Sequence, residues 1–142
     1  MPSERWDPHS KLGRRAVALL TDEKTLWLTT VDAEGRPQPN PVWFVWDGET
    51  VLVYSHRRAR RNRNLAGNAS VAIHFNTDRW GEEVIILSGR AEIAGKEPPV
   101  TECPAYLEKY GARIPSLGMD VATYAERYSV PIRIRPVRVR GC

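Results

Sequence analysis

Apolar residues recur along this chain with two periods, and the periods divide it into elements. Between Lys11 and about Leu20, the residues Leu12, Ala16, Leu19 and Leu20 share one face at helical spacing. Ser10, just ahead of them, is of a type that caps helix starts. Thr25–Val31 alternates instead, with Leu26, Leu28 and Thr30 pointing one way and Trp27, Thr29 and Val31 the other, as a strand does. Asp32–Gly35 is a turn. The run Arg36–Pro41 holds three prolines, which lack the N–H that a central ladder needs. It reads as an irregular edge, or as a stretch whose opposite backbone groups are free for a ligand. Val42–Trp46 is bulky on both faces and predicts a strand buried on both. Asp47-Gly48 is a two-residue hairpin signal that returns the chain as Glu49–Tyr54.

Further on, Ser70–Phe75 alternates as a strand and Asn76–Glu82 is a polar loop. Val84–Ile93 is a long strand with room for a bulge or bend at Gly89. Val100–Tyr110 predicts a helix that starts in earnest near Pro104, and Asp120–Tyr128 predicts another. Pro131–Val139 closes the chain as a strand. There Ile132 and Ile134 have one parity, and Val137 and Val139 the other. A bulge at Pro136 would keep all four on the core side and leave Arg133, Arg135, Arg138 and Arg140 outside. Residues 1–9 predict a loose arm on a single domain spanning 1–142. Six strands with short flanking helices make a mainly β (α+β) fold. The expected architecture is a mostly antiparallel, closed or half-closed barrel.

Charge sharpens this picture at one place. The chain carries 21 basic and 17 acidic residues. Arg57, Arg58, Arg60, Arg61 and Arg63 fall within seven positions; without these five, 16 basic residues face 17 acidic ones, so the excess is focal. They follow a strand and open a short helix, which suits a phosphate: guanidinium forks and unpaired helix-start N–H groups are both donors. The competing reading is a solvated basic face. No apolar run is long enough to span a bilayer and Met1–Arg15 has no signal pattern, which points to a cytoplasmic protein. Cys103 and Cys142 match no metal spacing and suit a reduced compartment.

Candidate chemistry is sparse. The histidines His9, His56 and His74 are scattered. His74 reads as structural; His56 reads either as a phosphate contact or as an exposed bystander. No zinc-protease, Walker, dinucleotide or serine-elbow motif is present. With no paired acid and base, an enzyme of this sequence would leave the hard chemistry to a cofactor.

The order of motifs is specific in combination. A strand and Asp-x-x-Gly turn lead into Arg-Pro-Gln-Pro-Asn-Pro-Val-Trp-Phe, then an Asp-Gly hairpin and Val-Leu-Val-Tyr-Ser. Ala-Arg-Arg-Asn-Arg-Asn-Leu follows, then Asn-Ala-Ser-Val-Ala-Ile-His-Phe and Ser-Gly-Arg-Ala-Glu-Ile. From about Leu19 to Gly95 this resembles the pyridoxamine-phosphate-oxidase-like split β-barrel superfamily, and within it the actinobacterial deazaflavin-dependent reductases that use coenzyme F420. The resemblance implies a homodimer with cofactors at the subunit interface and hydride transfer to a small-molecule double bond. It implies phosphate and tail binding by Ser55, Arg60, Arg61, Arg63 and Asn64. Pro41, Val42 and Trp43 would flank the ring system, Thr29 or Thr30 would line the groove, and Trp80 sits one place off an aromatic that relatives lend from the second subunit. Where relatives commonly have Lys, this chain has Arg61, a bidentate fork in place of a point charge. F420 carries a phosphodiester and an acidic tail, which suit a run of five arginines better than the single phosphate of FMN, the alternative cofactor. A nucleic-acid-binding module is the rival of another class, but the run has no interleaved aromatics.

Overall fold

A computed structural model describes residues 1–142. The strands are β1 (Ser3–Arg5), β2 (Leu26–Val31), β3 (Pro37–Val42), β4 (Val45–Trp46), β5 (Val51–Ser55), β6 (Ser70–His74), β7 (Ile85–Ile93) and β8 (Val130–Gly141). The helices are α1 (Lys11–Asp22), α2 (Arg60–Gly67), α3 (Pro104–Tyr110) and α4 (Val121–Arg127), with 3-10 turns at Val100–Glu102 and Ile114–Leu117. Ser10 caps α1 by accepting the Gly13 N–H at 3.0 Å, and Asp120 caps α4 through the Thr123 N–H at 2.8 Å. Every strand pairing is antiparallel, in the order β3-β2-β6-β7-β8-β5-β4, with β1 added on β8. The mainly β half-barrel with short flanking helices is therefore as expected, with eight strands in place of six.

The two extra strands correct two local expectations. Part of the 1–9 arm is ordered: β1 pairs with β8 over Arg138–Arg140, and Trp6 meets Trp46 edge-on at 6.2 Å. Val42–Trp46 is not one strand. It breaks at Trp43-Phe44, so that β3 and β4 lie at opposite ends of the sheet order. Two residues cannot join distant edges, so the sheet must curl until its ends meet there. Phe44 is fully buried at that seam, and its free backbone groups are claimed by α3. Its N–H donates to the Tyr110 hydroxyl at 2.9 Å, and its carbonyl accepts from Lys109 Nζ at 2.9 Å. Since β5 pairs with β4 and β8 and not with β3, the proline run is not the other arm of that hairpin.

The proline run itself is an edge strand. Pro37, Pro39 and Pro41 lie opposite Val31, Thr29 and Trp27 on β2. Alternate residues of an edge strand turn their backbone groups away from the ladder, so three prolines of one parity cost it no bonds. They also leave the open edge short of donors, which blocks further strand addition.

β8 does bulge where its parity slips. Ser88 faces Arg138 while Gly89 faces Pro136, leaving Val137 unpaired. Val139 thereby returns to the core, but Val137 does not: it is the extra residue and is 46% exposed. Gly89 permits the crossing, because a Cβ there would stand 2.6 Å from the Arg135 carbonyl oxygen. Gly89→Ala should therefore cost about 1–2 kcal/mol of stability, the scale of overpacking, read from urea unfolding.

β5 is buried along its whole length because it separates two cores. Val51 and Val53 belong to the barrel interior, with Leu28, Phe44, Ile73, Leu87 and Ile134. Leu52 and Tyr54 belong to a second cluster under the helices, with Tyr106, Tyr110 and Tyr124. Lys109 sits at the junction, its ammonium 3.7 Å from the Phe44 ring centre. Burial, reinforced by the nearby Lys24 charge and opposed by Glu23, pulls Lys109 from 10.5 to about 8. Between these values the unfolded chain binds more protons than the folded one. The stability of the wild type relative to Lys109→Met should accordingly rise from about pH 8 to 10.5, as followed by denaturation at several pH values.

Candidate functional site

β5 delivers the chain at Ser55 into the turn His56–Ala59, and α2 starts at Arg60. Ala59 offers no side-chain cap, so α2 starts uncapped. The backbone N–H groups of Arg60 and Arg61 donate to no backbone acceptor. The turn is braced from outside: the Arg57 N–H donates to the Arg127 carbonyl of α4 at 2.8 Å, and Asn62 Nδ2 donates to the His56 carbonyl at 2.9 Å. Asn62 Oδ1 is buried and has no partner.

The five arginines do not act together. Arg57 and Arg58 lie in the turn and are exposed; Arg57 forms a 3.7 Å surface pair with Glu126, of the kind that contributes little. Arg60 and Arg63, one helical turn apart, line a polar groove of about 670 Å³ with Asn64 and the β2–β3 turn. That groove also holds Asp32 and Glu34, so its two cations face two carboxylates. Arg61 points to the other side. Its Nη1 donates to the buried Ser55 hydroxyl at 2.9 Å, and no carboxylate pairs with it. Burial lowers its affinity for its proton, although a guanidinium stays charged at any ordinary pH. A half-buried, unpaired cation beside two free N–H groups is a site short of an anion.

Arg61 forms one end of a cleft of about 450 Å³. Pro41, Val42 and Trp43 enter it from the seam, and Tyr54, His56, Tyr124 and Tyr128 from β5, the turn and α4. No acidic residue lines it. Trp43 is clamped by stacking on Tyr110 at 4.5 Å, with the planes 2° apart, and Tyr124 stacks on Tyr128 at 4.3 Å. The Tyr124 hydroxyl lies 2.6 Å from that of Tyr106, and burial raises Tyr124 to about 12, so it stays protonated.

Of the residues singled out in the sequence, Pro41, Val42, Trp43 and Arg61 thus line one cleft, with the buried Ser55 accepting from Arg61. Arg60, Arg63 and Asn64 line the neighbouring groove. Thr30 is fully buried and accepts from Asn64 Nδ2 at 3.0 Å, which ties α2 to the barrel, whereas Thr29 lies on the outer face of β2. Trp80 is 79% exposed in the 76–84 loop and lines neither cavity. His74 stacks on Trp27 at 6.0 Å, a structural place. The tyrosine wall escaped sequence reading. Its signal was present: Tyr106/Tyr110 and Tyr124/Tyr128 are both spaced i, i+4, which sets each pair on one helix face.

The family model for pyridoxamine 5'-phosphate oxidase matches residues 12–141. The chain is 29% identical over 115 residues to a pyridoxine/pyridoxamine 5'-phosphate oxidase of Bradyrhizobium sp. (strain ORS 278), covering 80% of this chain and 49% of that protein. It is 25% identical over 133 residues to the enzyme of that name from Aeromonas hydrophila, covering 87% and 60%. The chain thus spans about half the length of the first of these relatives. Among solved structures, an F420 reductase superposes with a TM-score of 0.68 at 25% identity, over 87% of this chain and 94% of that one. HutZ, the heme storage protein of Vibrio cholerae, superposes with a TM-score of 0.60 at 22% identity, over 89% and 91%, a likeness of fold. The half-barrel agrees with a family match that runs across nearly the whole chain, and the chain belongs to the pyridoxamine 5'-phosphate oxidase family.

Proposed function

We propose that this chain is an oxidoreductase that binds a phosphate-bearing redox coenzyme, with coenzyme F420 favoured over FMN, and reduces an electrophilic double bond of a small molecule. Enones, quinones and tetrapyrroles are the substrate class. The observation that carries this reading is Arg61: half-buried, steadied by Ser55, without an acid partner, at an uncapped helix start that opens on an aromatic cleft. Arg61, Ser55 and the Arg60 and Arg61 N–H groups would hold the phosphate. Pro41, Val42 and Trp43 would flank the ring, and Arg60, Arg63 and Asn64 would meet an acidic tail in the adjoining groove. When bound, the reduced coenzyme supplies the hydride. The chain supplies orientation, charge and a water-poor pocket.

Two points favour F420. A second groove, lined by Arg60 and Arg63, offers cations that a compact single phosphate held at Arg61 would leave unused. The F420 reductase is matched over 94% of its length, whereas the curated oxidases are matched over about half of theirs. FMN is the second reading, supported by the family membership itself. Fluorescence-quenching titrations against F420 and FMN decide between them, followed by a screen of enones, quinones and tetrapyrroles with the winner. Nucleic-acid binding is disfavoured because the arginines diverge in three directions rather than forming one stripe.

We place the second subunit of a homodimer against the outer sheet face, where Trp27, Thr29, Val31, Ala72 and the three prolines of β3 share one side. Light scattering should give twice the 16.1 kDa chain mass. Whether Trp80 reaches the partner's site belongs to that proposal, and an unchanged coenzyme affinity in Trp80→Ala would exclude it. The cytoplasm is the proposed setting, in keeping with two free thiols, Cys103 and Cys142; no helix is long and apolar enough to cross a membrane.

A further inference from the structure

We propose that His56 is a catalytic residue, its Nε2–H holding the substrate oxygen on which reduction builds negative charge. The inference rests on the reductase reading above. His56 lines the aromatic cleft beside Arg61 and Tyr128. Its ring is held in place. Nδ1 accepts the Arg58 N–H at 3.1 Å, the Tyr128 ring stands perpendicular to it at 5.2 Å, and its carbonyl is tied to Asn62. An Nδ1 that accepts carries no proton, so the neutral ring has its hydrogen on Nε2. Nε2 has no partner within the chain, and no carboxylate lines the cleft to take it.

Several neighbouring donors are engaged within the chain. The Tyr54 hydroxyl donates to the Pro98 carbonyl at 2.7 Å, the Tyr124 and Tyr106 hydroxyls share one hydrogen bond at 2.6 Å, and Arg61 Nη1 donates to Ser55. Tyr128 retains a free hydroxyl, but its ring is what sets the imidazole plane. His56 thus offers the cleft an oriented, unspent donor beside Arg61, in addition to the unpaired Trp43 indole N–H and Thr25 hydroxyl.

Such a donor suits the proposed chemistry. A bound reduced deazaflavin would supply hydride to the β-carbon of an enone, and the substrate's carbonyl oxygen, facing His56, would take up the enolate charge. Nε2–H hydrogen-bonds that oxygen more strongly as its charge grows, which lowers the barrier. A proton from water then reaches the α-carbon, so one hydride and one proton complete the reduction.

Two substitutions separate this role from a structural one. His56→Asn keeps an acceptor for the Arg58 N–H, as asparagine does in turns of this kind, but removes the donor from the cleft. His56→Gln places an amide N–H near the position of Nε2. In the wild type, nitrogen-15 NMR should show an unprotonated Nδ1 and a protonated Nε2, with the Nε2–H resonance moving downfield when a phenolate enolate mimic is added. The Asn variant should bind F420 as the wild type does and lose roughly 100-fold in kcat, the scale of removing one oxyanion donor. The Gln variant should recover at least tenfold of that loss. The reverse tautomer, wild-type kcat in His56→Asn, or a Gln variant no better than Asn would each overturn the role of His56 while leaving the coenzyme reading standing. Failure of the wild type to bind F420 or FMN would overturn both.

Discussion

Replacing Arg61 with alanine will weaken coenzyme binding by about 1–3 kcal/mol, the usual scale for a charge-assisted hydrogen bond. The effect should be larger than at Arg60 or Arg63. Those two lie in an open groove with Asp32 and Glu34, where water and local acids already screen them. Arg61 is desolvated, braced by Ser55 and unopposed, so an anion reaching it meets a nearly full charge. Arg61→Lys should lie in between, since it keeps the charge but not the fork. Stability separates this role from a packing role. A buried cation without a partner is a burden on the folded state, so Arg61→Ala should leave the unfolding midpoint unchanged or raise it. Calorimetry with F420 and FMN, paired with thermal melts, checks both halves. Unchanged affinity would remove Arg61 from the site; lowered stability would make it a structural residue.

The largest stability effect is expected at the seam. Phe44→Ala should cost about 3–5 kcal/mol, as for other fully buried aromatics. For a chain of this size that is a drop of roughly 6–20 °C in Tm. Three losses coincide there. The ring leaves a cavity beside Phe75, 6.3 Å away centre to centre. Lys109 loses the aromatic face under its ammonium. The link between β3 and β4, which keeps the two ends of the sheet together, loses its anchor in the core. Phe44→Leu, which refills most of the volume, should recover more than half of the loss. A Phe44→Ala protein that melts within 2–3 °C of the wild type, a shift of only about 1 kcal/mol, would show that Tyr110 and Lys109 hold the seam without it.

Sequence reading reached some parts of this molecule and not others for definite reasons. The slip in parity between Ile134 and Val139 revealed the β8 bulge, because alternation is a local property of a strand. It did not reveal which residue is extruded: Val137 is apolar, yet register with β7 leaves it unpaired and exposed. The break of Val42–Trp46 was invisible in composition, since burial on both sides looks the same in one strand and in a seam. The charge count found the arginines but treated them as one cluster. Helical phase sends Arg61 to one side of α2 and Arg60 and Arg63 to the other. The tyrosines were legible only as two i, i+4 pairs, with nothing local to say that Tyr124 and Tyr128 line a cleft while Tyr106 and Tyr110 are buried in the core beside them.

What the chain determines by itself is its set of elements, the position of its excess charge, the capped helix starts and a motif order specific enough to identify a superfamily. All of these follow from interactions between residues close in sequence. Which guanidinium lies desolvated and which tyrosines wall the cleft were decided by the curl of the sheet. Those properties depend on contacts between segments tens of residues apart, and only the closed register of β3, β5 and α4 around Trp43 brings them about.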